Sequence, residues 1–304
     1  MNHVRELVHY PEHLPVGKRG RGIRIALLDS GVYPHPDFGD RIAAFQDFVN
    51  GRQSPYDDSG HGTHVCGIAA GNGGVMRGKY AGIAPEAELI VAKILDQSGE
   101  GTCTNLVRAL EWIRNLNRAR PVHVLNISVG MTNDVDADTT NRILRLIDEL
   151  WSEGVSVICA AGNNGPAPMT ISSIASYRHV IAVGCHDGRR SGRYARNCDD
   201  YSSRGPGQYE ILKPDIVAPG TGIISCACPV RGRSSSKMYT MKSGTSMATP
   251  IVSGAMALLL CHTSERDPDR LKRRLLQSSV DLKENRMKQG WGMLHIENLI
   301  TKFY

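Results

Sequence analysis

The chain has 304 residues, of which 22% are charged, 41% are hydrophobic and 6% are aromatic. This composition excludes global disorder and is typical of a globular protein that buries most of its apolar surface. The formal net charge of +6 is small for this length, so the basic clusters at residues 18–21 and 272–274 are interpreted as solvated surface rather than a nucleic-acid interface.

Hydropathy and cysteine content predict the location of the chain. No uninterrupted apolar run reaches the roughly 18 residues of a membrane span, and residues 1–17 lack the apolar segment of a signal peptide. None of the eight cysteines forms a Cys-x-x-Cys pair, which disfavours a zinc site. We therefore expect no membrane partner and a cytoplasmic location, or an extracellular one if the sequence is a processed mature form.

The predicted elements alternate between strand and helix along the chain. Short apolar runs typical of strands buried on both faces occur at residues 23–28, 88–95, 122–128, 155–160 and 180–184. Between them, apolar residues recur at helical spacing over 106–116 and 143–151, and Asp267-Pro268 matches a helix N-cap followed by proline. The alternation predicts an α/β fold, a three-layer, doubly wound, mostly parallel sheet with helices on both faces. We predict a short N-terminal extension, residues 1–19, and one domain, residues 20–304.

Three polar motifs interrupt these apolar segments. Asp29 stands at the carboxyl end of the first predicted strand, which is the end where α/β sheets build their sites. His61 lies between two glycines in Gly60-His61-Gly62-Thr63-His64, just before a small-residue helix. Ser246 lies in Ser243-Gly244-Thr245-Ser246-Met247-Ala248, directly before an apolar helix. An aspartate, a histidine and a serine in such places indicate nucleophilic acyl transfer.

The chemistry explains the residue types. A serine hydroxyl needs a base to take its proton, and histidine can do so near neutral pH. A buried carboxylate fixes the histidine tautomer and stabilises the imidazolium that forms. Asn163, in the turn Ala160-Ala161-Gly162-Asn163 after another predicted strand, offers an amide donor for a developing oxyanion. His64, one helical turn from His61, is interpreted as structural.

These segments resemble the motifs of the subtilisin-like serine proteases (subtilases), and they occur in that family's order, Asp then His then Ser. The resemblance covers roughly residues 20–277, and residues 78–87, 201–206 and 213–220 are most similar to the bacterial intracellular alkaline subtilases. It implies a serine endopeptidase that cleaves extended or unfolded polypeptides through an acyl-enzyme, with broad specificity. It further implies that Asp29 orients His61, that His61 is the general base and acid, that Ser246 is the nucleophile and that Asn163 is an oxyanion donor.

The resemblance also implies a cleft in which an extended substrate pairs with two edge segments. The predicted substrate-binding residues are Ser98, Gly99, Glu100, Gly101, Ser128, Val129, Gly130, Ala160, Gly162 and Thr245. Two other functions stay open: a catalytically silent binding or regulatory protein that keeps the fold, and an esterase or peptide ligase that uses the same site.

No cofactor is required for this chemistry, but a structural calcium ion is an open possibility. Asp37 matches a calcium ligand of some family members, whereas Arg77 and Lys79 in the neighbouring loop disfavour a dication. Only about twenty residues precede the first predicted strand. Either an N-terminal segment such as residues 8–11 inhibits the enzyme, or folding needs no pro-region.

Overall fold

A computed structural model describes residues 1–11, 13–129, 136–188, 197–207, 211–228 and 237–301. Nine strands lie in these ranges: β1 (Arg24–Asp29), β2 (Ile42–Asp47), β3 (Glu88–Lys93), β4 (Val124–Ile127), β5 (Ser156–Ala160), β6 (Ile181–Cys185), β7 (Ile216–Ala218), β8 (Ile223–Cys226) and β9 (Tyr239–Lys242). The first seven form one parallel sheet in the order β2-β3-β1-β4-β5-β6-β7, and β8 and β9 form an antiparallel hairpin.

The helices of the described ranges cover both faces of the sheet. They are α1 (Asn2–Leu7), α2 (His61–Ala70), α3 (Cys103–Ala119), α4 (Ala137–Ser152), α5 (Cys198–Tyr201), α6 (Thr245–His262), α7 (Pro268–Ser278), α8 (Arg286–Gln289) and α9 (Ile296–Thr301), with a 3₁₀ turn at Gly74–Met76. Helix α2 lies in the connection from β2 to β3, α3 in that from β3 to β4, and α4 in that from β4 to β5. Helix α6 packs with α2, and α3 packs with α4.

The predicted α/β architecture is confirmed, and the five predicted strands correspond to β1, β3, β4, β5 and β6. The sequence pattern missed β2, β7, β8 and β9. Strand β2 is a half-exposed edge strand without clean alternation, and β7 has only three residues. The hairpin strands have four residues each and are separated by a long connection. Such short or edge strands carry too few apolar positions to be distinguished from loops.

The sheet reverses its winding direction at β1, which lies between β3 and β4. This reversal opens a crevice at the carboxyl ends of the strands, where α/β proteins place their sites. Residues that follow β1, β3, β4 and β5 therefore converge on one end of the sheet.

Helix α6 runs through the centre of the protein. Its residues from Met247 to Leu260 are buried, and it contacts β1, β4, β5, β6 and β7. By length and hydropathy it also meets the criteria for a membrane span, although 83% of its residues lie inside the fold. Its apolar character is explained by this burial.

The N-terminal extension packs at the opposite end of the sheet from the crevice. Val4 and Val8 are buried, and the carbonyl oxygen of Val8 accepts a hydrogen bond from the N–H of Ile296 at 2.8 Å. The Arg5 guanidinium donates to the carbonyl oxygen of Gly82 at 2.7 Å, just before β3 begins. Inhibition by residues 8–11 stays a prediction, and it would require this segment to leave these contacts.

Of the eight cysteines, six are free thiols, while Cys185 and Cys198 are paired as a disulfide with a Cα–Cα distance of 5.2 Å. Cys66, Cys159 and Cys226 are buried. Burial raises the pKa of the Cys159 thiol to about 12, so this group stays protonated and packs as a small apolar side chain.

Candidate active site

The site begins with a contact between β1 and α2. Asp29 is the last residue of β1 and is fully buried, and His61 is the first residue of α2. Asp29 Oδ1 lies 2.7 Å from His61 Nδ1 and also accepts a hydrogen bond from the N–H of Ser30 at 2.8 Å. Because Nδ1 faces the carboxylate, Nε2 is the ring nitrogen left to act as a base.

Glycine makes this contact possible. The Cα of Gly62 approaches the carbonyl oxygen of Gly31 so closely that an added Cβ would overlap it. Gly31 itself has a φ of +116°, a value that L side chains rarely adopt. The glycines of the two motifs thus allow the end of β1 and the start of α2 to touch.

The charge of Asp29 controls the protonation of His61. Burial of the imidazole opposes protonation, but the charge of Asp29 and its hydrogen bond outweigh this, so the pKa of His61 lies above its ordinary value of 6.5. At His64 burial prevails over the other influences, and the pKa of this imidazole falls to about 3. His64 Nε2 faces the carbonyl oxygens of Ile223 and Thr240 at 3.0 and 3.2 Å, which agrees with a structural role.

Asp57 holds the start of α2, and the sequence analysis missed it. Its carboxylate accepts hydrogen bonds from the N–H groups of Gly60 and Thr63, both at 2.8 Å, and from the Thr63 hydroxyl at 2.6 Å. It also accepts from the Ser30 hydroxyl at 2.9 Å, which ties it to the end of β1. Asp57 thus caps the helix that carries His61. The available signal was an Asx-type residue three positions before the glycine of the histidine motif.

Lys93, at the end of β3, is a second residue that the sequence analysis missed. Its buried ammonium donates to the carbonyl oxygens of Ser30 and Leu95 at 2.8 and 2.7 Å and to Asp58 Oδ1 at 2.7 Å. These bonds fix the backbone that follows Asp29. No sequence signal distinguishes this lysine from a solvated one.

Asn163 and Ser246 meet at the start of α6. Asn163 Oδ1 accepts hydrogen bonds from the N–H and the hydroxyl of Thr245, both at 3.0 Å. With its oxygen held there, the Nδ2 end of the amide is the end that can donate to a ligand. Ser246 follows as the second residue of α6, where the helix dipole and a free N–H favour negative charge. Gly244, before it, has a φ of +147°.

A pocket of about 340 Å³ opens beside Ser246. Its walls are Ala160, Gly162, Asn163, Asn164, Met169, Thr170, Ile171, Ser172, Thr245 and Ser246. This set includes three predicted substrate-binding residues, Ala160, Gly162 and Thr245. None of these wall residues is ionisable, so the pocket suits an uncharged side chain.

The predicted edge segments follow the strands on either side of β1. Ser98, Gly99, Glu100 and Gly101 form an exposed loop after β3, in which Asp96 Oδ1 accepts from the N–H groups of Ser98 and Glu100 at 2.8 and 3.0 Å. Ser128 and Val129 follow β4, and the Ser128 hydroxyl accepts from Asn126 Nδ2 at 2.7 Å. Gly130 lies outside the described residues. The described parts of both segments thus follow the carboxyl ends of the two strands that neighbour β1, and their role in substrate binding stays a prediction.

The surroundings of Asp37 do not fit a calcium ion. Its carboxylate accepts hydrogen bonds from the N–H of Val75 at 3.0 Å and from the Tyr239 hydroxyl at 2.6 Å. Its carbonyl oxygen accepts from the N–H of Asn72 at 3.0 Å and from the Arg41 guanidinium at 2.5 Å. A dication needs these oxygens free and no cation beside them.

His35 and Cys226 complete a buried cluster with Asp37 that is compact enough to hold a metal. The His35 ring is already engaged, because Nδ1 accepts from the N–H of Asp37 at 3.1 Å and Nε2 donates to the carbonyl oxygen of Met238 at 2.8 Å. This imidazole therefore serves as a structural link between two backbone segments.

The comparisons with known proteins agree with the fold. Residues 20–293 match the model of the subtilase family. Serine protease AprX of Bacillus subtilis (strain 168) is 38% identical over 98% of this chain and 70% of its own length. Subtilisin Savinase of Lederbergia lenta is 36% identical over 80% of this chain and 78% of its own. A thermostable alkaline protease of Halalkalibacterium halodurans is 32% identical over 91% of this chain and 67% of its own.

The chain belongs to the subtilase family. It is a subtilisin-type serine endopeptidase, a hydrolase of peptide bonds.

Proposed function

We propose that the protein hydrolyses extended or unfolded polypeptides with broad specificity, through an acyl-enzyme on Ser246. The observation that carries the proposal is the hydrogen bond of 2.7 Å between His61 and the buried Asp29. It leaves Nε2 of His61 as the base, and the activation of a serine hydroxyl needs such a base.

In the proposed reaction, Ser246 Oγ attacks the carbonyl carbon of the substrate, and its proton passes to His61 Nε2. The oxyanion that forms accepts hydrogen bonds from Asn163 Nδ2 and from the N–H of Ser246. His61 then gives its proton to the leaving amine, and the C–N bond breaks to give the acyl-enzyme. Water, deprotonated by His61, attacks the ester carbonyl. The C–O bond to Ser246 Oγ then breaks, Ser246 Oγ takes the proton back from His61, and the acid is released. Asp29 holds the imidazole in place and stabilises its positive charge throughout.

The first experiment is covalent labelling with a fluorophosphonate, followed by intact mass and peptide mapping. Wild type should gain one adduct, on Ser246, and Ser246→Ala should gain none while keeping its thermal unfolding midpoint. A folded wild-type chain that takes no label would instead favour the silent binding-protein alternative.

Broad specificity follows from backbone pairing with the loops after β3 and β4, since such pairing reads an extended chain rather than its side chains. The uncharged pocket beside Ser246 adds one preference. We expect peptides with Leu, Met or Phe before the cut to show kcat/KM at least about tenfold above those with Asp or Glu, because a carboxylate would lose its hydration without a partner. Equal rates for all residues would contradict this assignment of the pocket.

An esterase or ligase using the same residues remains the alternative. Ester, amide and aminolysis rates on one acyl group separate the three activities. A hydrolase should cleave the amide at a rate typical of a protease and transfer little acyl group to an added amine. The partners in this proposal are polypeptides, without nucleic acid or membrane, and the location is cytoplasmic, which cell fractionation tests.

A further inference from the structure

A second cavity, of about 500 Å³, lies at the amino ends of the strands. We call it the arginine pocket, after the four arginines in its wall, Arg5, Arg19, Arg21 and Arg41; Tyr10 and Glu86 also line it. Arg19 and Arg21 precede β1 and Glu86 precedes β3, whereas the catalytic residues follow the other ends. The six residues of β1 alone span about 20 Å, so the two cavities are separate.

The arginine pocket carries an excess of positive charge. Among its described lining residues, Glu86 is the only carboxylate. That carboxylate is already engaged, by Arg19 at 2.9 Å, by Arg21 at 3.7 Å and by the N–H of Gly17 at 2.8 Å. Two arginines thus share this one acidic side chain, and in the described part of the chain Arg5 and Arg41 form no direct ion pair with it.

Arg5 and Arg41 bond to neutral oxygens. Arg5 donates to the carbonyl oxygen of Gly82 at 2.7 Å, and Arg41 donates to those of Ala70, Ala87 and Asp37 at 2.7, 2.9 and 2.5 Å. Carbonyl oxygens satisfy hydrogen bonds but do not cancel charge. The carboxylates of Asp40 and Asp37 offset part of the charge of Arg41, whereas no carboxylate does so for Arg5 among the influences on its pKa. Burial lowers the pKa of both guanidinium groups, which expresses the free-energy cost of holding them charged away from water.

Two buried donors in the same wall lack a partner. Arg5 Nε and the Tyr10 hydroxyl are both inaccessible to solvent and have no hydrogen-bond partner in the described part of the chain. The Arg5 guanidinium stacks 4.4 Å from the centre of the Tyr10 ring, so the two donors are neighbours. Buried polar groups are almost always hydrogen-bonded, and an orphan pair beside excess positive charge indicates a missing acceptor of negative charge.

We propose that the arginine pocket binds a small multivalent anion whose charged oxygens are of the phosphate or carboxylate type. Its oxygens would accept from Arg5 Nε and the Tyr10 hydroxyl once these two side chains turn toward the cavity, and its charge would offset that of the four arginines. Guanidinium groups match the planar, paired oxygens of both anion types. Since Arg5 and Tyr10 belong to the N-terminal extension and Arg41 to the main domain, the bound anion would fasten one to the other.

The test uses the full chain carrying Ser246→Ala, which prevents self-digestion. Titration calorimetry with pyrophosphate, at an ionic strength held constant with NaCl, should give saturable binding at one site per chain. The thermal unfolding midpoint should rise with pyrophosphate and level off. Inorganic phosphate and citrate arms show whether the pocket prefers phosphate or carboxylate oxygens.

Three variants locate the binding. Tyr10→Phe keeps the stacked ring and removes only the orphan hydroxyl, so the pyrophosphate Kd should rise about tenfold while the midpoint without ligand does not fall. Arg21→Gln, at the exposed rim, should raise the Kd about threefold or more. Arg273→Gln makes the same change of charge at an exposed position of α7, outside the pocket, and should leave the Kd unchanged.

The proposal is overturned by either of two results. One is heat and midpoint changes that follow ionic strength without saturating. The other is saturable binding that Tyr10→Phe and Arg21→Gln weaken no more than Arg273→Gln does, because the anion would then bind elsewhere.

Discussion

His61 carries two opposing influences, and their balance sets the pH dependence of the enzyme. Asp29 raises the pKa of His61 above 6.5 despite burial, and only the neutral imidazole can accept the serine proton. We expect kcat/KM to fall about tenfold per pH unit on the acid side, with the midpoint above pH 6.5. A midpoint at or below 6.5 in a pH–rate profile would contradict the influence of Asp29.

The same shift affects stability with the opposite sign. Because the folded protein binds the proton of His61 more tightly than the unfolded chain, the Asp29–His61 pair stabilises the fold fully below pH 6.5. This contribution is lost as the pH rises through the higher pKa of the folded state.

Asp29→Asn removes the charge that causes the shift, and it should lower kcat by about 10⁴-fold through loss of the correct tautomer.

Asn163 offers a second test at the level of single residues. Asn163→Ala should lower kcat about 10²- to 10³-fold, a magnitude that comes from subtilisin itself, with little change in KM, because the lost hydrogen bond forms only with the oxyanion. The variant also loses the bond to the N–H of Thr245, so its unfolding midpoint is measured alongside. A rise in KM with kcat unchanged would indicate that Asn163 binds the ground state instead.

The sequence sufficed for residues whose neighbours in the chain form a motif. Asp29, His61, Asn163 and Ser246 each lie within two residues of a glycine in such a motif, and the described contacts join Asp29 to His61 and Asn163 to Thr245, the neighbour of Ser246. Their catalytic roles stay predictions. Asp57 and Lys93 lie in no such motif. Both support the site by hydrogen bonds to Ser30, which is distant from both in sequence. Only the folded chain shows these contacts.

At the level of elements, α2 depends on the carboxylate of Asp57. Asp57→Asn places an amide N–H₂ against backbone donors and leaves at least one of them unsatisfied. We expect the free energy of unfolding to fall by roughly 2–4 kcal/mol, and kcat to fall because His61 is the first residue of this helix. Denaturant unfolding measures the first effect and peptide hydrolysis the second.

Asp40→Asn provides the matched control, because it makes the same change at an exposed carboxylate. It should change the free energy of unfolding by no more than about 0.5 kcal/mol. If Asp57→Asn behaved like this control, the cap would be unimportant for α2.

The strands were predictable in proportion to their burial and their length. The five central strands have apolar side chains on both faces and were found, with their ends within about two residues. Strands β2 and β9 are only partly buried, whereas β7 and β8 are buried but only three and four residues long. Tertiary contacts rather than local preference decide such segments.

At the level of the whole molecule, protein donors tie separate regions together around Asp37. Tyr239, from the hairpin, and Val75, from the loop after α2, both donate to this buried carboxylate. Burial and the charge of Asp37 raise the pKa of Tyr239, so its hydroxyl remains a donor. Because donors from the described residues already occupy both carboxylate oxygens of Asp37, we expect EDTA to change the unfolding midpoint by no more than about 1 °C.

Tyr239→Phe should lower that midpoint by roughly 3–6 °C, because it removes a hydrogen bond to a buried charge, and added calcium should not restore it. A midpoint that falls in EDTA and returns with calcium would show that a calcium ion stabilises the protein after all, at this cluster or elsewhere.

The order of the active-site residues along the chain has a consequence for the synthesis of the enzyme. Asp29, His61, Asn163 and Ser246 come from distant parts of the chain, and α6, which carries the serine, is the last of their elements to be synthesised. A nascent chain that lacks α6 also lacks the central support of β4, β5 and β6. Proteolytic activity therefore cannot arise before α6 has left the ribosome, and copies that lack this helix cannot digest their neighbours.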